Sequence, residues 1–263
     1  MLSVMQNFLS EVIQSLKWHQ TVFGDTLYLD DDIDLDIAQS LPKNTAVPKA
    51  EPEPKPQVQA SSKKTVNKKD GFSESVIHQN DPEMQQFFHE INHCAKCGLY
   101  KSRTNFVFGM GNPHANILFV GEAPGRDEDL QGLPFVGKAG KLLEKMLNAL
   151  QMKREDIFIA NVLKCRPPGN RDPLPEEVSQ CEPYLIKQIE MIDPKIIVGL
   201  GRISAQVLLK TTDSLTRMRN QVHSYHNIPF LVTYHPAALL RNPRWKRESW
   251  QDLLKINTIL NTD

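Results

Sequence analysis

The 263-residue chain lacks any apolar run near the roughly 20 residues that a membrane-spanning helix requires. Its first residues, "MLSVMQNFLSEVIQSLKWHQ", lack the basic start and small-residue cleavage site of a secretory signal. Together these absences predict a soluble, cytoplasmic protein with no membrane association. Cysteine is scarce, with only Cys94, Cys97, Cys165 and Cys181. In a reducing compartment so few thiols point to metal binding or redox chemistry before disulfides. Net charge is lacking too, because 31 Lys+Arg offset 31 Asp+Glu. The balance hides an asymmetry. Residues 1–90 hold 8 basic against 14 acidic side chains, and residues 91–263 hold 23 against 17. An acidic arm thus precedes a basic body, and a basic body suits a polyanionic partner as well as plain solvation. The glycine-rich dinucleotide fingerprint is incomplete as well. "GLGRIS" supplies Gly199 and Gly201 but no third glycine, and no acidic residue follows about 20 positions on. Close strand–helix packing explains those two glycines more simply.

What is present divides the chain in three. Residues 1–29 contain a short amphipathic pattern, with Met5, Phe8, Leu9, Val12, Ile13 and Leu16 at helical spacing. Residues 30–80 are acidic and then proline-rich, with Pro42, Pro48, Pro52, Pro54 and Pro56 and almost no bulky apolar residue. Such a stretch cannot bury enough surface to offset its ordering entropy, which predicts a flexible N-terminal extension. Residues 81–263 alternate apolar runs with helical periodicity. "ANILFVGEAPG", "DIFIANVLKC", "PKIIVGLG" and "IPFLVTYHP" read as strands. "FVGKAGKLLEKMLNAL", "EEVSQCEPYLIKQIEMI" (interrupted by Pro183), "GRISAQVLLK" and "WKRESWQDLLKINTIL" read as helices. The alternation predicts an α/β fold with a largely parallel sheet covered by helices on both faces. Ligands of such sheets sit beyond the carboxyl ends of the strands, where "GEAPG", "NVLKCRPPGN" and "YHPAALLRNP" all fall.

The cysteine spacing is C-x2-C, then 67 residues, then C-x15-C. A zinc ribbon pairs two short knuckles, and the second pair here is not one. A thioredoxin-like motif is disfavoured because Cys94 precedes the first strand. Four thiolates suit either Zn²⁺ or an iron–sulfur cluster, and their chemistry alone does not separate the two.

The set "CAKCGLYKSRTN", "ILFVGEAPGRDEDLQGLPFVGKAG", "IANVLKCRPPGNRDPLPEE", Cys181 and "VTYHPAALLRNP" resembles the iron–sulfur uracil-DNA glycosylases, family 4, in order and spacing. The resemblance spans roughly residues 90–255 and implies a three-layer α/β/α sandwich with a central four-stranded parallel sheet. It also implies a [4Fe–4S] cluster held by Cys94, Cys97, Cys165 and Cys181. It implies base-binding roles for Ala123, Glu128, Phe135 and Asn161: Phe135 to stack on an everted pyrimidine, Asn161 to read uracil O4 and N3–H, Glu128 to help exclude thymine's methyl group. Catalysis falls to His235, donating a hydrogen bond to uracil O2, and to Glu122, organising its loop and stabilising the sugar cation. Ala123 stands where other members of the superfamily carry a water-orienting aspartate. Pro124, Gly125, Arg166, Leu240 and Arg241 are the implied DNA contacts, Leu240 and Arg241 filling the space that the base leaves. His223 and His226 have no such context. Relatives commonly have Arg-Gly at Arg219-Asn220, and Asn is expected to keep a left-handed turn there.

The function expected on these grounds is a monomeric, monofunctional uracil-DNA glycosylase acting on uracil-containing DNA, with the N-terminal arm open to a protein partner. The alternatives are a non-catalytic DNA-binding module of the same fold and a zinc-stabilised nucleotide-binding protein.

Overall fold

A computed structural model describes residues 81–260. The amphipathic segment of residues 1–29 and the linker of residues 30–80 lie outside the described residues.

Strands β1 (Met110–Gly111), β2 (Ile117–Gly121), β3 (Phe158–Asn161), β4 (Ile196–Leu200), β5 (His223–Tyr225) and β6 (Ile228–Thr233) form one sheet in the order β1-β3-β2-β4-β6-β5. The inner four, β3-β2-β4-β6, are parallel throughout. The expected four-stranded parallel sheet is therefore its core, extended by an antiparallel strand at each edge. The β5 edge escapes sequence reading because it is three residues long and lacks the usual glycine turn. Its connection is made by His226 and Asn227, both at positive φ (50° and 66°), the backbone that a tight two-residue hairpin demands.

The helices are α1 (Pro82–Ile91), α2 (Arg126–Gln131), α3 (Lys138–Ala149), α4 (Pro175–Ile192), α5 (Arg202–Leu209), α6 (Leu215–Arg219), α7 (Pro236–Arg241) and α8 (Lys246–Leu260). They cover both sheet faces, and the strands show why. Leu118, Val120, Phe158, Ala160, Ile197, Phe230 and Val232 alternate onto one face, packing with residues of α1, α4 and α5. Ile117, Phe119, Ile159, Ile196, Val198 and Leu231 point the other way, into a core shared with α3 and α8. Strands apolar on both faces are the signature of a doubly covered parallel sheet. α4 runs unbroken through Pro183, which sits on its exposed side, so the carbonyl freed by the missing N–H is within reach of water.

Arg219 ends α6 and is buried. Its Nε donates to Asp252 Oδ2 at 2.6 Å, and its Nη1 donates to Glu248 Oε2 at 2.6 Å and to the Tyr234 hydroxyl at 3.2 Å. Thr233 Oγ1 donates to the same Asp252 oxygen at 2.9 Å. The network clamps α8 to the end of β6. The adjoining turn departs from expectation: Asn220 has φ −79°, so no left-handed residue is needed and Asn is unstrained. His223 and His226 lie on the β5 hairpin, away from the strand ends, and His223 Nε2 hydrogen-bonds with the Met218 carbonyl.

Removing one partner of a buried ion pair strands the other. Arg219→Met is expected to cost about 3–5 kcal/mol in chemical denaturation. The double variant with Asp252→Leu should recover part of that loss.

Candidate active site

The carboxyl ends of the four parallel strands open into one cavity of about 720 Å³. β2 delivers Glu122, Ala123, Pro124 and Gly125; β3 delivers Asn161; β4 delivers Gly201; β6 delivers Tyr234 and His235. Glu128, Phe135 and Arg241 complete the set of sequence-predicted residues on its wall. Arg166 and Leu240 do not line it. Arg166 Nε donates to Asn170 Oδ1 at 2.7 Å, and Asn170 does line the cavity, so Arg166 braces its rim. Leu240 is exposed beside Arg241 on α7.

Phe135 is held in place from several sides. Its φ is +52°, an unusual conformation for a bulky residue, which the surroundings must enforce. Glu128 Oε1 accepts hydrogen bonds from the amides of Val136 (3.0 Å) and Gly137 (2.9 Å). From the other side Arg154 donates through Nη1 to the Phe135 carbonyl at 3.0 Å and through Nη2 to the Pro134 carbonyl. At Gly140 a Cβ would fall 1.7 Å from the Phe135 carbonyl oxygen, so only glycine lets α3 start so close to the loop. The Glu128 carboxylate oxygen that meets the loop is thus engaged in ordering it.

Asn161 and His235 approach the same ring. A Cβ on Gly121 would lie 2.3 Å from Asn161 Oδ1 and 2.9 Å from the Phe135 ring, so the bare backbone of β2 is the ledge over which amide and phenyl meet. Asn161 is only 2% exposed, and its Oδ1 is buried with no hydrogen-bond partner. A buried, unsatisfied acceptor costs about 1–3 kcal/mol unless a ligand answers it. The His235 ring centre lies 5.4 Å from that of Phe135, and Gly201 makes room, since a Cβ there would sit 2.9 Å from His235 Cβ. His235 caps α7: its Nδ1 accepts from the Ala237 amide at 3.1 Å. With Nδ1 committed as acceptor, the neutral ring carries its proton on Nε2. Burial, helped by the positive charge of Arg241, pushes the imidazole down to about 4. His235 is therefore a neutral donor at physiological pH.

Glu122 meets the opposite influence. Burial, helped by the negative charge of Asp172 and opposed by the positive charge of Arg202, raises its carboxyl to about 7. It stands at the point of ionisation near neutral pH.

On the face of the sheet carrying α4, the four cysteines border one core. Tyr184 Oη donates to Cys94 Sγ at 3.3 Å, Arg103 Nη1 to Cys165 Sγ at 3.2 Å and the Lys164 amide to Cys181 Sγ at 3.3 Å. Lys164 is fully buried; its Nζ donates to the Asn161 carbonyl at 2.9 Å and to Gln188 Oε1 at 2.6 Å, both neutral acceptors. Burial pushes the Cys165 and Cys181 thiols up, Cys181 to about 12. Donors and cations around three of the four sulfurs, with no carboxylate among these contacts, suit an anionic thiolate-ligated group. Among the described residues no three His, Cys, Asp or Glu side chains gather as a single ion would require.

Sequence reasoning missed Arg154, Lys164 and Gly121. Arg154 lies in "MKREDIF", where nothing marks it. Lys164 was detectable only as a charged residue inside an otherwise apolar strand-end run, "IANVLKC".

Comparison with known proteins gives a consistent family. The sequence profile described as the uracil DNA glycosylase superfamily matches residues 108–254. A type-4 uracil-DNA glycosylase of Archaeoglobus fulgidus is 49% identical over 178 residues, covering 65% of this chain and 89% of that one. Those of Saccharolobus solfataricus and Thermotoga maritima are 45% and 44% identical, covering 66% and 58% of this chain and 84% and 80% of theirs.

An NMR titration of His235 should give a midpoint near 4, against 6.5 for an unperturbed imidazole. The sign follows from proton uptake. Between those values the unfolded chain binds the proton and the folded one does not, so this site's share of stability is full above pH 6.5 and shrinks as pH falls towards 4. A His235 that titrates near 6.5 would contradict the buried, capped geometry.

Proposed function

The chain belongs to the uracil DNA glycosylase superfamily, and from that membership and the cavity geometry we propose that it removes uracil from DNA, leaving an abasic site. The observation that carries the reading is the convergence of Phe135, the unanswered Asn161 amide and the neutral His235 on one cavity at the strand ends. The glycosidic bond is unreachable inside a stacked duplex, so the nucleotide must be everted. Phe135 offers its face to the pyrimidine. Asn161 Oδ1 accepts N3–H while the amide nitrogen donates to O4, a pairing that cytosine, with an amino group at C4 and no N3–H, cannot make.

As the C1′–N1 bond breaks, its electron pair moves into the uracil ring and onto O2, and the sugar becomes cationic. His235 Nε2–H donates to O2 and stabilises that anion without losing its proton. An ionised Glu122 on the same wall stabilises the cation, and water then bonds to C1′, releasing a proton to solvent. Among the described residues no lysine lines the cavity, which supports a monofunctional hydrolase over a Schiff-base lyase. Leu240 and Arg241, with Pro124 and Gly125 at the mouth and Arg166 at the rim, contact the strand. Residues 81–263 form the catalytic unit, active as a monomer, and the acidic arm of residues 1–80 is offered to a protein partner.

Cys94, Cys97, Cys165 and Cys181 would hold a [4Fe–4S] cluster, for which four cysteine thiolates are the usual ligands. The cluster's chemistry here is structural: when bound it ties the segment after α1 to the β3 loop and to α4. The hydrogen-bond donors and the buried Lys164 around the sulfurs support the assignment.

On a uracil-containing oligonucleotide the wild type should release uracil, and His235→Ala should lower kcat by about 10²–10³, the range for removing one donor to a developing anion. Asn161→Ala should fall comparably and lose its preference over cytosine. Wild-type binding with no release would favour a recruiting module instead, and a colourless, iron-free preparation would remove the cluster. The ionised Glu122 also fixes a pH signature. Protonation inactivates, so kcat/KM should rise with pH through about 7 and then stay level. Glu122→Gln should abolish that limb.

A further inference from the structure

At the mouth of the cavity, next to Arg241, stands an aromatic group with no part in the chemistry above. Trp245 is 37% exposed, yet its indole lies nearly parallel to the Tyr234 ring, 5.0 Å between centres with 11° between planes. Tyr234 is itself fixed. Its hydroxyl donates to Glu248 Oε2 at 2.6 Å, and the Arg219 guanidinium lies 4.3 Å from its ring centre. The guanidinium lies over the phenol ring and the indole is stacked on it, an assembly anchored inside the protein by the Asp252 ion pair. It has one open end, the outer face of Trp245.

We propose that this face is a stacking platform for a nucleobase of the substrate strand beside the everted uracil, a contact separate from the uracil pocket; it rests on the reading given under Proposed function. Trp245 shares the cavity wall with His235 and Arg241, so the strand that threads its uracil inward passes the indole. Arg241 and Arg244 are exposed on the same short segment, providing cations for the adjoining phosphates. The neighbouring acid, Glu248, is engaged inward by Arg219 and Tyr234. Aromatic faces among cations are how proteins hold single strands without reading sequence, because every base has a π face. Covering Tyr234 does not require an indole, since an aliphatic side chain would do so too. A pre-oriented, half-open aromatic does something that an aliphatic cannot.

The test is a coupling measurement. Short single strands would carry one 2′-fluoro-2′-deoxyuridine, which resists release, and one base-less tetrahydrofuran unit at each flanking position in turn. Affinity is measured for wild type, Trp245→Leu (cover without a π face) and Trp245→Phe. At one flanking position, deleting the base should weaken wild-type binding about tenfold. It should leave Trp245→Leu unaffected, while Trp245→Phe keeps most of the wild-type response. Equal penalties for wild type and Trp245→Leu at every position would overturn the platform. Release of uracil by the wild type from the matching deoxyuridine strand is measured alongside. Absent release sinks the glycosylase reading, whereas release without coupling sinks only the platform.

Discussion

Lys164 places an amine in the dry interior just beyond β3, and much of the site's geometry follows from how it is held. An ammonium taken out of water costs several kcal/mol unless it is answered, and burial lowers this one to about 8. Its two hydrogen-bond acceptors, the Asn161 carbonyl and Gln188 Oε1, are neutral. Negative charge on the neighbouring sulfurs of Cys181 and Cys165 would act in the opposite sense and favour the ammonium. Gln188 in turn donates to the Phe108 carbonyl at 3.0 Å, so the amine is fastened to α4 and to the chain entering the sheet. One side chain therefore connects the cysteine-bearing segments to the backbone of Asn161 on the cavity wall. A thiolate-ligated group on those cysteines would supply the charge that the buried amine lacks, and would tie the position of Asn161 to it.

The second organising device is close approach. Asn161, Phe135 and His235 are each brought within contact of a strand or helix by a residue without a side chain: Gly121 for the amide and phenyl, Gly140 for the Phe135 carbonyl, Gly201 for the imidazole. Gly201 has φ +94°, so at that position glycine is required for conformation as well as for space. The catalytic groups are positioned by what the scaffold leaves out, and Glu128 and Arg154 then fix the loop that space permits.

This explains what the sequence revealed and what it hid. Two-faced apolar runs such as "ILFVG" and "IIVGL" declare a covered parallel sheet, and strand-end polar loops declare where a ligand sits. Both are local signals that mark the loops carrying Asn161, His235 and Glu122, whose roles came only from the family resemblance. The edge strand β5 was not, because three residues carry too little periodicity and its turn uses His226-Asn227 in place of Asn-Gly. Arg154 and Lys164 were hidden for a different reason. Their partners lie 19 and 24 residues away along the chain, and no spacing rule links residues that meet only through the fold. Gly199 and Gly201 were read as packing glycines. That is where they stand, with Gly199 facing the Phe230 ring and Gly201 facing His235.

The chemistry left to these residues is narrower than a proton relay. With its imidazole near 4, His235 is protonated in only about one molecule in a thousand at pH 7, so it is a poor general acid. A neutral donor in a dry pocket stabilises charge only as that charge develops, because its hydrogen bond to uracil O2 strengthens as O2 becomes anionic. Ala123 offers a methyl group where a carboxylate could have oriented water, which leaves no side chain there to push a nucleophile. In the proposed reaction, departure of the base therefore runs ahead of water attack, with the positive sugar sustained by Glu122. Glu122 can do this only when ionised, and burial together with Asp172 opposes its ionisation until near neutral pH. On that reading, a fixed neutral donor for the leaving anion and a reluctant carboxylate for the cation divide the transition-state charge between two side chains of one cavity.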